Sequence, residues 1–474
     1  MNTKRNLKKG AVLLLALVPT LVGAACDNTN SGKTKITIGM WPEKNNREDV
    51  EMFTKWKDAF ELANPEYIIE PQPYIYRTES IGTDFQAKAL PVVFQTWFTE
   101  PEMLISKRII RDITDQLDSL GWTEHMDEGM KKIVSNENGR VFGVPRDGYG
   151  LGMALNLNVL YDNEIITKNP DGSYNLFDES GSPLYPTTFA ELMDMGEILF
   201  ENESLAKGFL ALSANKQGGW QFSNIAWNFG AQLQIKQPDG KYKANLNDPK
   251  AVQALQWIAD MAKAGYLSDG SSFNYSEWET LLPSGRVAAA FVGNDALPNA
   301  VTKSNMKKDD LAFVPIPAGP GGDQHALFGG TPFVFKSDAT DAQVLGALKF
   351  MEYMGRSPEV SEVSLNGLEL GAITATAKGI PILPTIKPWT NKEYIEAAEE
   401  IEDEYVNVNM DYYGDFFNTI GNIRHAEEPL CTQDMYEKLD IQIQSVLANK
   451  GNVNCLSLLT TANNQFQKIL DEKQ

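Results

Sequence analysis

Lys35-Ile36-Thr37-Ile38-Gly39-Met40-Trp41, then Val50 to Leu62, then Ile68-Ile69-Glu70-Pro71-Gln72-Pro73-Tyr74 succeed one another near the start of the chain, and this alternation decides the fold. The first run is β-branched and apolar, the composition of a buried strand. Apolar residues in the second fall at Met52, Phe53, Trp56, Ala59, Phe60 and Ala63, the spacing of an amphipathic helix, and Asn64-Pro65 stops it. The third run reads as a second strand, parallel to the first because a helix carries the chain back between them. Strand, helix and parallel strand make an α/β lobe whose ligand space lies at the carboxyl ends of its strands.

The alternation continues along the chain. Pro91 to Trp97, Gly139 to Pro145, Gly150 to Asn156, Arg286 to Val292, Leu311 to Ile316 and Gly329 to Phe335 read as strands. Tyr185 to Phe200 restarts the pattern with a helix capped by Thr187 or Thr188, with Glu191 three residues after Thr188 as in a capping box. Asp248-Pro249 opens another helix that Gly265 ends after Ala264, and Asp341 to Met354 is a further one. Gly218 to Asn228 is read as a flexible stretch. With 474 residues the chain exceeds the size at which one core keeps growing, so two lobes are expected.

Met1 to Gly10 carries Lys4, Arg5, Lys8 and Lys9, Ala11 to Val22 is apolar, and Gly23-Ala24-Ala25 precede Cys26. That apolar run is too short to span a bilayer, which needs roughly 20 residues, so 1–25 reads as a secretion signal. Leu21-Val22-Gly23-Ala24-Ala25-Cys26 resembles the lipobox of a bacterial lipoprotein, with Gly23 where Leu is usual. The resemblance implies a lipidated Cys26, palmitate among its chains, and a tether over 26–32 holding the protein to the outer face of a cell membrane, as in a Gram-positive bacterium. The plainer alternative is a signal peptide cut after Ala25.

The formal net charge is −21, and removing the four basic side chains of the leader takes it to −25. Such a surface repels phosphate backbones, so no nucleic-acid partner is expected. Cys431 and Cys455 remain after Cys26; a disulfide between them and two separate thiols are both open. His125, His325 and His425 are far apart in sequence without cysteine neighbours, which argues against a metal site; no cofactor is expected.

Taken in order, Gly39 to Trp41, Ala89-Leu90-Pro91-Val92-Val93-Phe94, Arg140 to Pro145, Pro186 to Leu192, Ser284 to Phe291 and Gly329-Gly330 make the chain similar to family 1 extracellular solute-binding proteins, the sugar-capturing lipoproteins of ABC importers. Val92 departs from the Asp that commonly follows Ala-Leu-Pro in that family. The resemblance implies a two-lobed, type II periplasmic-binding-protein-like α/β fold with the ligand cleft between the lobes. It implies one lobe from 33–146 plus 296–366 and the other from 147–295 plus 367–474. It also implies an oligosaccharide ligand, permease subunits as partners and no catalysis.

Sugars present C–H faces and hydroxyl rims, so a site for them needs aromatic rings together with amides or carboxylates. Candidates at strand ends and loops are Trp41, Glu43, Asn45, Trp97, Asp147, Tyr149, Trp220, Asn224, Trp227 and Asp295. Gly329 and Gly330 would let backbone approach the ligand, and Tyr412 or Tyr413 would stack on a second ring. Arg146 and Asp147 can instead pair with each other. The rival reading is a secreted glycoside hydrolase, which needs two carboxylates flanking a sugar bond. No acid here takes a distinguished position at consecutive strand ends.

Overall fold

Two strands, Gly143–Asn156 and Ala326–Phe335, are long enough to take part in both halves of the molecule, and they organise the rest. The protein is described over residues 32–474 by a computed structural model; the leader, Cys26 and the tether up to residue 31 lie outside the described residues. The first half of Gly143–Asn156 pairs antiparallel with Ala326–Phe335, from Gly143 against Val334 to Gly150 against Phe328. Its second half pairs antiparallel with Val287–Gly293 on one side and Leu311–Pro315 on the other. A single nine-stranded sheet therefore runs through both lobes: seven strands follow the order Tyr67–Pro71, Thr34–Ile38, Val93–Gln95, Ala326–Phe335, Gly143–Asn156, Val287–Gly293, Lys207–Phe209, while Leu311–Pro315 pairs with Gly143–Asn156 and Arg424–His425 with Ala326–Phe335 off that path.

The opening strand-helix-strand unit is present as Thr34–Ile38, Arg47–Ala63 and Tyr67–Pro71, with the two strands parallel. Its helix buries Trp56 and Phe60, the predicted apolar face. Those side chains join Ile36, Ile38, Val93, Trp122, Val144, Phe333 and Phe350 in one core. A second core gathers Leu151, Met153, Phe209, Phe291, Phe313, Phe416, Leu439 and Phe466. The helix Phe189–Glu201 carries the expected box of Thr188 and Glu191, and Pro249–Ala264 ends on Gly265 at φ +81°, a conformation that favours glycine.

Core membership departs from the expected division at 296 and 366. Leu297, Ala300 and Leu311 to Val314 lie in the second core, because Leu311–Pro315 pairs with the far half of Gly143–Asn156. Trp389, Tyr394 and Ala398 lie in the first, where Trp389 packs edge-on against Trp122 with centroids 5.7 Å apart. The chain re-enters the first core along Ala326–Phe335 and returns to the second between Ala398 and Tyr412.

Gly218 to Asn228 is no flexible stretch: Gln217–Asn228 is a helix, and from Gly218 onward only Trp220 escapes full burial. Gly218 and Gly219 make this possible. A Cβ on Gly219 would stand 2.3 Å from the carbonyl oxygen of Tyr436, so the helix Thr432–Ala448 packs backbone to backbone against it. Asp440 of that second helix accepts hydrogen bonds from the amides of Lys216 and Gly219, the latter at 2.8 Å, and so caps the helix start. Among the described residues no helix is long and apolar enough to cross a membrane.

Candidate functional site

Where the sheet passes from one core to the other, the structure leaves a cavity of about 320 Å³. Trp97, Phe98 and Thr99 enter it from the end of the Val93–Gln95 strand on the side of the first core. Trp220 enters from the first turn of its capped helix, Tyr275 from the loop before Trp278, and Gln433 and Tyr436 from the helix Thr432–Ala448, all on the side of the second core. Tyr149 and Gly330 lie on the two crossing strands themselves.

The rings are held by one another. Trp220 meets Tyr275 edge to face at 5.7 Å, and the Tyr275 hydroxyl accepts the Gly293 amide at 3.1 Å. Trp97 stands edge-on to Tyr76 at 5.5 Å and keeps 44 % of its surface exposed, an unusual allowance for tryptophan that leaves a flat face free.

Polar groups sit between the rings. Asp295 is exposed to the cavity but lies deep between the two walls; that partial desolvation, with the like charge of Asp147, pushes its carboxyl up to about 6 against the opposing pull of Arg146. Arg146 itself is committed to Asp147, Nε to Oδ2 at 2.8 Å. Glu427 accepts the Tyr436 hydroxyl at 2.8 Å, yet burial, seconded by Glu100, pushes it up to about 7. Lys216, Gln217 and Thr331 complete the rim. Aromatic faces alternating with carboxylates and amides can hold a polyhydroxylated ring by stacking on its C–H faces and bonding its edge.

A profile of the bacterial extracellular solute-binding protein family matches residues 55–379. The chain belongs to this family. The solute-binding protein shares its two-lobed α/β fold with many solved structures at low identity. One is an ABC transporter solute-binding protein from Thermotoga lettingae bound with α-D-tagatose: TM-score 0.66, 16 % identity, 92 % of this chain and 100 % of that one covered. Another is an ABC substrate-binding protein from Listeria monocytogenes in complex with cycloalternan: TM-score 0.66, 12 % identity, 93 % and 99 % covered. A third, UgpB from Mycobacterium tuberculosis in complex with glycerophosphocholine, has TM-score 0.65 at 13 % identity, with 94 % and 100 % covered. No curated protein matches the sequence significantly.

Of the residues singled out in sequence, the solute-binding protein brings Trp97, Tyr149, Trp220, Asp295 and Gly330 together around the cavity. Asp147 stands beside them, paired with Arg146. Gly329 is required for a different reason from the expected one: a Cβ there would lie 2.7 Å from the Tyr149 ring, so the glycine seats that ring instead of admitting ligand. Trp41 is buried edge-on against Phe53 and, with Glu43, lines a separate cavity near Tyr74, Arg77 and Gln95; Asn45 is exposed and lines neither.

Four candidates have structural duties instead. Asn224 is fully buried, donating to the His325 carbonyl at 2.5 Å and accepting the Leu327 amide at 3.1 Å. Trp227 stacks on His425 at 4.1 Å and donates to Glu428 at 2.9 Å. Tyr412 accepts the Tyr174 amide at 2.7 Å, and Tyr413 donates to the Leu311 carbonyl at 2.9 Å. These polar atoms are already satisfied inside the second core, which leaves nothing for a ligand.

The disulfide alternative also fails: Cys431 and Cys455 are free. Cys431 precedes the helix Thr432–Ala448 and Cys455 begins the antiparallel helix Cys455–Lys473 at its other end. At 1.5 Å rise per residue the intervening helix separates them by about 25 Å, far beyond the roughly 7 Å limit between Cα atoms of a bridged pair.

Sequence reasoning missed Phe98, Tyr275, Glu427, Gln433 and Tyr436. Phe98 adjoins the named Trp97 and Tyr275 lies in a Tyr/Trp-bearing loop, so both carried a weak local signal. Gln433 and Tyr436 look like any pair on one helix face.

Proposed function

We propose that this solute-binding protein captures a carbohydrate in the interlobe cavity and presents it to the permease of an ABC importer. The observation that carries the reading is the set of aromatic rings from both cores, Trp97 against Trp220 and Tyr275, with Asp295, Glu427 and Gln433 placed between them. Closure around the sugar would dry these hydrogen bonds and strengthen them. The relatives of like fold whose structures hold tagatose and cycloalternan support a sugar as ligand. We also read the leader as a lipoprotein signal, with a lipid on Cys26 holding the lobes at the outer face of the membrane of a Gram-positive cell. The length of the sugar follows from experiment.

A thermal-shift screen of mono- and oligosaccharides tests the reading, since a ligand that binds only the native state raises the melting temperature by mass action. A saturable rise with the sugar recovered intact by chromatography supports capture. Cleaved sugar would revive the hydrolase reading, and no rise with any saccharide would reject a carbohydrate ligand.

A further inference from the structure

Asp295 is the carboxylate of the cavity for which the protein supplies no partner. Among the described residues no side chain donates to it and no lysine or arginine forms an ion pair with it; only the amides of Asp295 and Ala296 lean on its oxygens. Its nearest cation, Arg146, is already bound to Asp147, whose second oxygen is buried without a donor. The group of Arg146, Asp147 and Asp295 thus carries one uncompensated negative charge. Lys216 stands on the rim of the same cavity, and among the described residues it forms no ion pair with Asp295 or Asp147.

The place is built for that carboxylate. Gly293 lies directly beneath it: a Cβ there would stand 2.5 Å from Asp295 Oδ1 and 3.3 Å from the Tyr149 ring. Tyr275 and Trp220 close the next side. The Asp295 side chain is exposed to the cavity, so an incoming ligand reaches its oxygens directly. Aromatic faces around an anion attract a cation through their quadrupoles and repel none of its C–H groups. Hydroxyl donors would satisfy the oxygens of Asp295 but leave the net charge where it is.

We propose that the ligand carries a protonated amino group and that this ammonium sits on Asp295, within the rings of Tyr149, Trp220 and Tyr275. The proposal rests on the carbohydrate reading and narrows it to amino sugars.

Calorimetric titration at about pH 6.5, where the glucosamine ammonium and the Asp295 carboxylate are both substantially charged, with glucosamine oligosaccharides, their N-acetylated counterparts and the corresponding neutral glucose oligomers distinguishes the two. The expected result is an affinity for the free-amine series at least about ten-fold higher than for either neutral series. Asp295→Asn should erase that preference while its melting temperature stays at or above wild type, since the substitution removes an unpaired charge without changing shape. Equal affinity for amine and neutral sugars, or an Asp295→Asn variant that keeps the preference, overturns the ammonium seat and leaves the carbohydrate reading intact. Binding of none of the three series overturns the carbohydrate reading and the seat with it.

Discussion

Gln433 Nε2 donates to Thr99 Oγ1 at 3.0 Å, a side-chain hydrogen bond that joins the second core to the first at the rim of the cavity. Thr99 follows Trp97 at a strand end, and Gln433 sits one turn before Tyr436, so the bond draws together the two walls that carry the rings. Gln433→Ala is expected to weaken ligand binding by about five-fold, the equivalent of one ordinary hydrogen bond of about 1 kcal/mol. Calorimetry on the variant, with melting temperature as the control for folding, checks this.

The raised carboxyls make ligand-free stability depend on pH. Asp295 and Glu427, near 6 and 7 in the folded protein, bind protons that the unfolded chain, at about 4, releases. Between pH 4 and 7 the native state therefore holds more protons, and stability falls as pH rises through that window. The melting temperature is expected to be several degrees higher at pH 5.5 than at 7.5, and an Asp295→Asn, Glu427→Gln double variant should reduce the difference, with Asp440, also raised to about 6 by burial, carrying part of what is left. A scanning calorimetry series with both proteins measures it.

Gly219→Ala should cost about 1–3 kcal/mol, because its methyl would drive the helix Gln217–Asn228 away from the Tyr436 backbone. The same displacement moves Trp220 away from Tyr436, so ligand affinity should fall in the folded fraction too. Urea unfolding and a binding titration read the two effects separately.

Reducing agent should leave the melting temperature unchanged, since Cys431 and Cys455 lie at opposite ends of a helix. Thiol titration of the denatured mature protein without reductant should count both. A shift with dithiothreitol would show a bridge that the fold does not accommodate.

Legibility of the site followed the range of the interactions that build it. The opening strand, helix and strand and the Thr188 box are written in local periodicity and capping chemistry, and they stand in the structure where the sequence put them. Trp97 and Asp295 were legible because each closes an apolar strand. Trp220 and Trp227 were not separable. They lie on one helix seven residues apart, yet the first faces the cavity while the second is 2 % exposed and bonded to Glu428. The difference is made by the helix Thr432–Ala448 and by Glu428, two hundred residues downstream. Trp227→Ala is accordingly expected to cost about 3–5 kcal/mol of stability. The lobe boundaries were misread for a kindred reason: nothing local in Leu311–Pro315 says which half of Gly143–Asn156 it will join.

The central claim is that a sugar is held between Trp97 and Trp220. Its most direct test is calorimetric titration of the tightest saccharide from the screen into the wild-type protein and a Trp97→Ala, Trp220→Ala variant whose melting temperature is verified. The account predicts one site per chain in the wild type and a loss of about ten-fold or more in the variant. Undiminished affinity in the variant would contradict it.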